Sequence, residues 1–268
     1  MRFNLLKTFF LICFHLLFSL TLYSQISISS SIPVTQNFDG TVTGSTVNLP
    51  PNWKMTAAGI SAPTWLAVGN LTATNNSANS GSPTAGGRYN WGNGTNTTDR
   101  AIGFMTSGGY ASPNSIMAFY SNTSGVQIND LAISFDYERY RINTAPCSIT
   151  FFTSTDGSTW IARTDGDSGA FTTGSSAYDF TTGTVVSRSF NLTEINIPNG
   201  GSLYLRWNFN TTGANSQGIG LDNVSVTATL ASAAVPIFTG GTVNGTVGTA
   251  LNYQIVATNT PSSYAVSS

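Results

Sequence analysis

The sequence is short of charge, of sulfur and of imidazole, and each shortage removes a class of chemistry. Its 268 residues hold ten Lys and Arg, eleven Asp and Glu, one His and two Cys. The histidine, His15, and one cysteine, Cys13, fall in the first two dozen residues with Arg2 and Lys7. There a basic start gives way to an apolar run, Thr8 to Tyr23, that closes on Ser24-Gln25. A basic segment, an apolar stretch short for a bilayer span and a small residue at the junction read as a secretory signal peptide, residues 1–24. Cys13 sits inside the run rather than after it, which argues against a lipoprotein anchor.

Removing that leader leaves no histidine, one cysteine (Cys147) and one lysine (Lys54). Nucleophiles activated by imidazole are excluded, as are zinc sites with imidazole ligands. No internal disulfide can form, and a lone thiol in a strand-like context reads as packing. Lys54, beside Trp53 in a Pro-Pro-Asn-Trp turn, reads as structural rather than as a Schiff-base amine. Eight basic residues remain against eleven acidic ones, a net charge of about −3. That balance offers no footprint for nucleic acid and, once the leader is gone, no membrane insertion.

Glycine (27 residues) and aromatics (12%) are plentiful, and after the leader no stretch sustains a helical period with good helix formers. The expected fold is all-β. About two hundred residues, 25 to 228, suffice for one sandwich with a sizeable core. Val34 to Phe38 reads as a first strand broken by Asp39-Gly40, and Trp65 to Val68 as a short one. Thr72 to Thr98 reads as a long polar loop carrying Tyr89 and Trp91, an aromatic pair that either contacts a ligand or packs on the sheet edge. In Leu131 to Tyr140, Leu131, Ile133, Phe135 and Tyr137 share one face; Ser134, Asp136, Glu138 and Tyr140 share the other. Cys147 to Thr155 and Trp160 to Ala162 form a hairpin across Asp156-Gly157. Leu203, Leu205, Trp207 and Phe209 alternate with Tyr204, Arg206, Asn208 and Asn210. Gly218 to Ala228 closes the domain, Leu221, Asn223 and Ser225 alternating with Asp222, Val224 and Val226.

Asn-Phe-Asp-Gly, Leu-Pro-Pro-Asn-Trp, Ile-Ser-Phe-Asp-Tyr, Ser-Thr-Asp-Gly-Ser-Thr-Trp, Leu-Tyr-Leu-Arg-Trp and Gly-Leu-Asp-Asn-Val occur in that order. Together they resemble the jelly-roll adhesin-type domains of secreted Bacteroidetes proteins, which are similar to cleaved-adhesin, MAM-like and concanavalin-like carbohydrate-binding modules. The resemblance implies a two-sheet jelly roll and, as in related modules, a structural calcium where the first and last strands meet, at Asp39 and Asp222. Hard cations take oxygen ligands, which carboxylates at two adjacent strand ends can supply. Equally, Asp39 can cap a turn before Gly40 and Asp222 can pair with backbone amides. Asn223 departs from the pattern, being neutral where many relatives carry a second aspartate.

A second candidate site is the polar face of Asp136, Glu138, Tyr140, Tyr204, Arg206 and Asn208, which forms one surface if their two strands are neighbours. It suits a sugar, and it also reads as a solvated face with cross-strand pairs. Asp136 and Glu138, about 6.5 to 7 Å apart along a strand, invite a glycoside-hydrolase reading, but Tyr140 stands where such jelly-roll enzymes usually place a third acid.

After a linker at 229–236, residues 237–268 resemble the opening of the immunoglobulin-like, cadherin-like domains repeated in bacterial surface proteins. About thirty residues cannot close a sandwich of about a hundred, so this is the truncated start of one. The plan is that of a secreted or cell-surface noncatalytic binding or adhesion module whose partner is an extracellular glycan or surface protein. The alternatives are a carbohydrate-binding module attached to a downstream polysaccharide-degrading enzyme, and a weak glycosidase using Asp136 and Glu138.

Overall fold

The computed structural model describes residues 25–41, 48–68, 76–78, 83–92, 99–180, 184–214, 216–231, 237 and 244–250. The leader expected at 1–24, and nearly all of the immunoglobulin-like start expected at 237–268, lie outside them. Contacts divide the chain into two compact units, residues 1–230 and 231–268. Few residues of the second are described.

The described residues of the first unit form strands and two short 3₁₀ turns. The strands open with β1 (Ile26–Ile28), β2 (Val34–Gln36), β3 (Trp53–Met55), β4 (Asn76–Ala78) and β5 (Gly87–Gly92). Next come β6 (Arg100–Met105), β7 (Asn114–Asn122), β8 (Ile128–Ile142), β9 (Cys147–Ser154) and β10 (Ile161–Ala162). Last are β11 (Gly169–Phe171), β12 (Ala177–Tyr178), β13 (Thr184–Leu192), β14 (Ser202–Thr211) and β15 (Gly218–Leu230). No helix among the described residues is long and apolar enough to cross a membrane.

Two sheets pack as an all-β jelly-roll sandwich. The first runs β1-β7-β14-β9-β10, with β3 also on β7 and β11 also on β9. The second runs β12-β8-β15-β6-β5-β4, with β13 also on β8 and β2 also on β15. Period-two alternation decides what lies between them. Leu131, Ile133, Phe135 and Tyr137 of β8 face Leu203, Leu205, Trp207 and Phe209 of β14 across the core, all buried. Trp207 is the hub: it stacks on Trp53 at 5.7 Å, lies 5.4 Å from Phe151 and meets Phe135 edge-on at 5.5 Å. Each such ring contributes about 2–3 kcal/mol by burial.

Three expectations need correction. Trp65 to Val68 is a turn, with the Val68 amide donating to Thr64 O at 3.0 Å, and it folds against Tyr204 rather than joining a sheet. The polar stretch from Thr72 holds β4 and β5, because Gly87 to Gly92 pair in full register with β6. Third, β15 does not alternate throughout. Asp222 opposes Asp136 but Ser225 opposes Ser134, so three steps on β15 match two on β8, a bulge at Asn223, whose φ is 51°. The extra residue restores parity, so Ile219 and Leu221 before it and Val224, Val226 and Ala228 after it all point into the core.

Where β6 crosses β15 the backbones touch: a Cβ on Gly103 would lie 1.9 Å from Ile219 O. Gly103→Ala is therefore expected to cost about 3 kcal/mol, read as a lower urea midpoint at unchanged slope. An unchanged midpoint would mean the two strands part freely here.

Candidate functional site

The bulge is also where β15 changes neighbours. Up to Leu221 its far side pairs with β6; from Val224 it pairs with β2. Between those partners sits Asp222, on the outer face of the second sheet and 1% exposed. Asp39, in the turn that follows β2, bridges the gap, its Oδ1 accepting from the Arg100 amide at the head of β6 at 3.1 Å. The opposite strand contributes Asp136, directly across from Asp222, and Glu138, across from Gly220.

Burial comes first in setting the acidity of Asp222. With the fields of Glu138, Asp99 and Asp39 it pushes the carboxyl up to about 8, against a partial pull from the Asn223 amide that makes no hydrogen bond. Neither carboxylate oxygen has a hydrogen-bond partner. Glu138 is raised for the same leading reason, offset by the hydrogen bond it accepts from the Tyr140 hydroxyl. Asp136 accepts from Asn223 Nδ2 at 3.0 Å. The neutral residue at 223 thus ties a carboxylate where an aspartate would add a like charge.

Tyr89 and Trp91 roof this corner. Both are fully buried and pack on the sheet, the second of the two alternatives the sequence left open. They stack on each other at 4.3 Å, and Trp91 stacks on Tyr140 at 5.5 Å while its Nε1 donates to Ile219 O at 3.2 Å. The indole lies in a trough that only glycines leave open, since Cβ atoms on Gly218 and Gly220 would come within 2.6 Å and 3.1 Å of it. Asp99, which the sequence reading passed over, acts on both Asp222 and Glu138. Its signal was its place immediately before the apolar strand Ala101 to Met105.

The polar face expected from β8 and β14 together is not formed. The two strands belong to different sheets, so Asp136, Glu138 and Tyr140 lie on one outer surface and Tyr204, Arg206 and Asn208 on the other. On the first sheet Tyr204 stacks on Phe119 at 4.6 Å, and Asn208 accepts from Ser115 Oγ at 3.1 Å. Arg206 lies over Phe152 at 4.1 Å and Trp160 at 5.1 Å. Lys54 is structural, donating to Trp65 O at 2.7 Å and Val68 O at 3.2 Å.

Among the described residues no group of three or more His, Cys, Asp or Glu converges as a ready ligand set. The two orphaned oxygens of Asp222 still fit a hard cation, which would supply the charge they lack. Beside Tyr140 the surface opens into a cleft of about 360 Å³ that includes Arg139, Tyr178, Asp179 and Thr184 in its lining. Asp179 is the sole carboxylate along its walls.

No family model matches the sequence, and no curated protein does. Among solved structures, the K1 cleaved adhesin domain of Lys-gingipain from Porphyromonas gingivalis is 13% identical, covering 74% of this chain and 99% of that one at a TM-score of 0.39. The K3 domain of the same protein is 14% identical over 72% and 98%, also at 0.39. TmCBM61, solved with β-1,4-galactotriose, is 9% identical over 72% and 94% at 0.32. Likenesses at these scores fix no function.

The raised acidity of Asp222 makes a signed prediction. Between the unfolded value near 4 and about 8 the folded chain holds one proton more than the unfolded chain. This contribution is therefore full below pH 4 and is lost as pH rises to 8. In chelator, wild type is expected to lose stability relative to Asp222→Asn across that window. Parallel pH–stability curves for the two proteins would rule out a buried, uncompensated carboxyl.

Proposed function

We propose that the chain is a noncatalytic extracellular binding module of adhesin type, holding a glycan or a surface protein, with a calcium ion at the corner of Asp39 and Asp222. The observation that carries this is the Asp222 carboxylate, 1% exposed with neither oxygen bonded, among Asp39, Asp99 and Glu138. A carboxyl kept protonated at neutral pH by burial and by neighbouring acids would exchange that proton for a bound cation. Asp39 and Asp222 would hold it, and it would neutralise the corner where β15 exchanges partners. Asp136 and Glu138 are held by Asn223 and Tyr140. Neither lines the cleft beside Tyr140. An apolar leader at the start of the sequence supports export.

Calcium at a hundredfold excess over its Kd should add about 2.7 kcal/mol, several degrees in Tm, over the same protein in chelator. Asp222→Asn should abolish the rise, and no shift in wild type would remove the ion from the reading. A glycan array and a panel of surface proteins, probed with the calcium-loaded chain, test the binding role. Polysaccharide hydrolysis lost in Glu138→Gln would overturn the noncatalytic assignment.

A further inference from the structure

On the face opposite the acidic corner, Arg206 is a buried cation without an acceptor. It is 6% exposed, and it makes neither a hydrogen bond nor an ion pair with any described residue. Its Nε is fully enclosed and unpartnered, whereas its terminal nitrogens are not among the enclosed, unsatisfied atoms and so retain access to solvent. What it has instead is aromatic cover, from Phe152 in the same cross-strand row and from Trp160. Both rings are only partly buried. Trp160 is fixed in place by its Nε1, which donates to Pro63 O at 2.8 Å. Burial depresses the guanidinium to about 10, so it stays charged at neutral pH.

A buried charge left unpaired is costly, and aromatic faces return only part of that. A planar fork whose flanks are ringed and whose outer nitrogens are free fits a carboxylate. No described residue pairs one with it. Asp156, whose field reaches Tyr204 two residues before, is engaged by the amides of Ser158 and Thr159. Beyond Arg206 on the same face, Asn208 and Asn210 are linked at 2.9 Å and Thr150 stands beside them. A row of amides and hydroxyls next to aromatic rings suits sugar hydroxyls rather than a second charge.

We infer that Arg206, Phe152 and Trp160 form a subsite for the carboxylate of a uronic-acid residue in an acidic polysaccharide, on the outer face of the first sheet. This rests on the reading of the chain as a glycan-binding module. It adds that the glycan is anionic and that it is bound on the sheet opposite the acidic corner.

The test uses the whole protein, calcium-loaded, with polygalacturonate as probe, its methyl ester and a neutral β-1,4-galactan as controls, and polyglutamate as the acidic peptide. The free acid should bind at least about tenfold more tightly than the ester, a difference that shrinks with salt. Arg206→Gln should erase the difference, Arg206→Lys should keep only part of it, and neutral galactan binding should not change in either. Should Arg206→Gln fail to fold, the acid-against-ester comparison on wild type still decides. Equal binding of acid and ester overturns the subsite, as does acid binding that survives in folded Arg206→Gln. Polyglutamate bound in place of polygalacturonate overturns it in favour of a peptide. Galactan bound without polygalacturonate overturns the subsite and leaves the glycan-binding role standing, whereas loss of all polysaccharide binding removes both.

Discussion

The structure depends on one extra residue in β15. β15 lies at the middle of the second sheet and must pair with β8 along its length while exchanging β6 for β2 on its other side. A straight strand would have turned Val224 and Val226 outward after Leu221. Asn223, tolerating a positive φ better than most residues, takes up the slip. The core then stays apolar on both halves, and the cost falls on the outer face, where Asp222 opposes Asp136 with both its oxygens unpartnered. Like charges directly across a ladder repel. The acidic corner is thus a by-product of keeping the core continuous, and its chemistry is inseparable from the packing beneath it.

What the sequence disclosed and what it hid divide along that line. The alternations in Leu131 to Tyr137 and in Leu203 to Phe209 are local, and they told correctly which side chains face inward. They could not tell that β8 and β14 face each other across the core instead of lying side by side. Period two specifies a face, whereas partnership depends on connections tens of residues long. Trp91 was hidden for a related reason. Its neighbours in sequence are Gly and Asn, which speak of a loop, while its binding trough is made by Gly218 and Gly220 more than a hundred residues away. The two glycines were visible in Gly-Ile-Gly; their partner was not. The residue types of the acidic corner were plain, but Asp99 joins it only through the pairing of β6 with β15.

Charged residues keep different company on the two sheets although the chain has few of them. The acids that influence one another, Asp39, Asp99, Asp136, Glu138 and Asp222, gather on the second sheet. On the first sheet Lys54 and Arg206 flank Met117 in a single cross-strand row, each against an aromatic ring.

The placement of the basic residues has a further consequence, for survival among proteases. Beyond residue 24, every lysine and arginine except Arg163 lies on a strand. Arg163 itself is tied by its amide to Phe151 O at 2.9 Å. A trypsin-like enzyme must draw an extended segment of several residues into its cleft, and here that means pulling a strand out of a ladder. For such enzymes the described residues offer almost no ready site, and the sandwich's lifetime in a digestive surrounding is set by how often it opens.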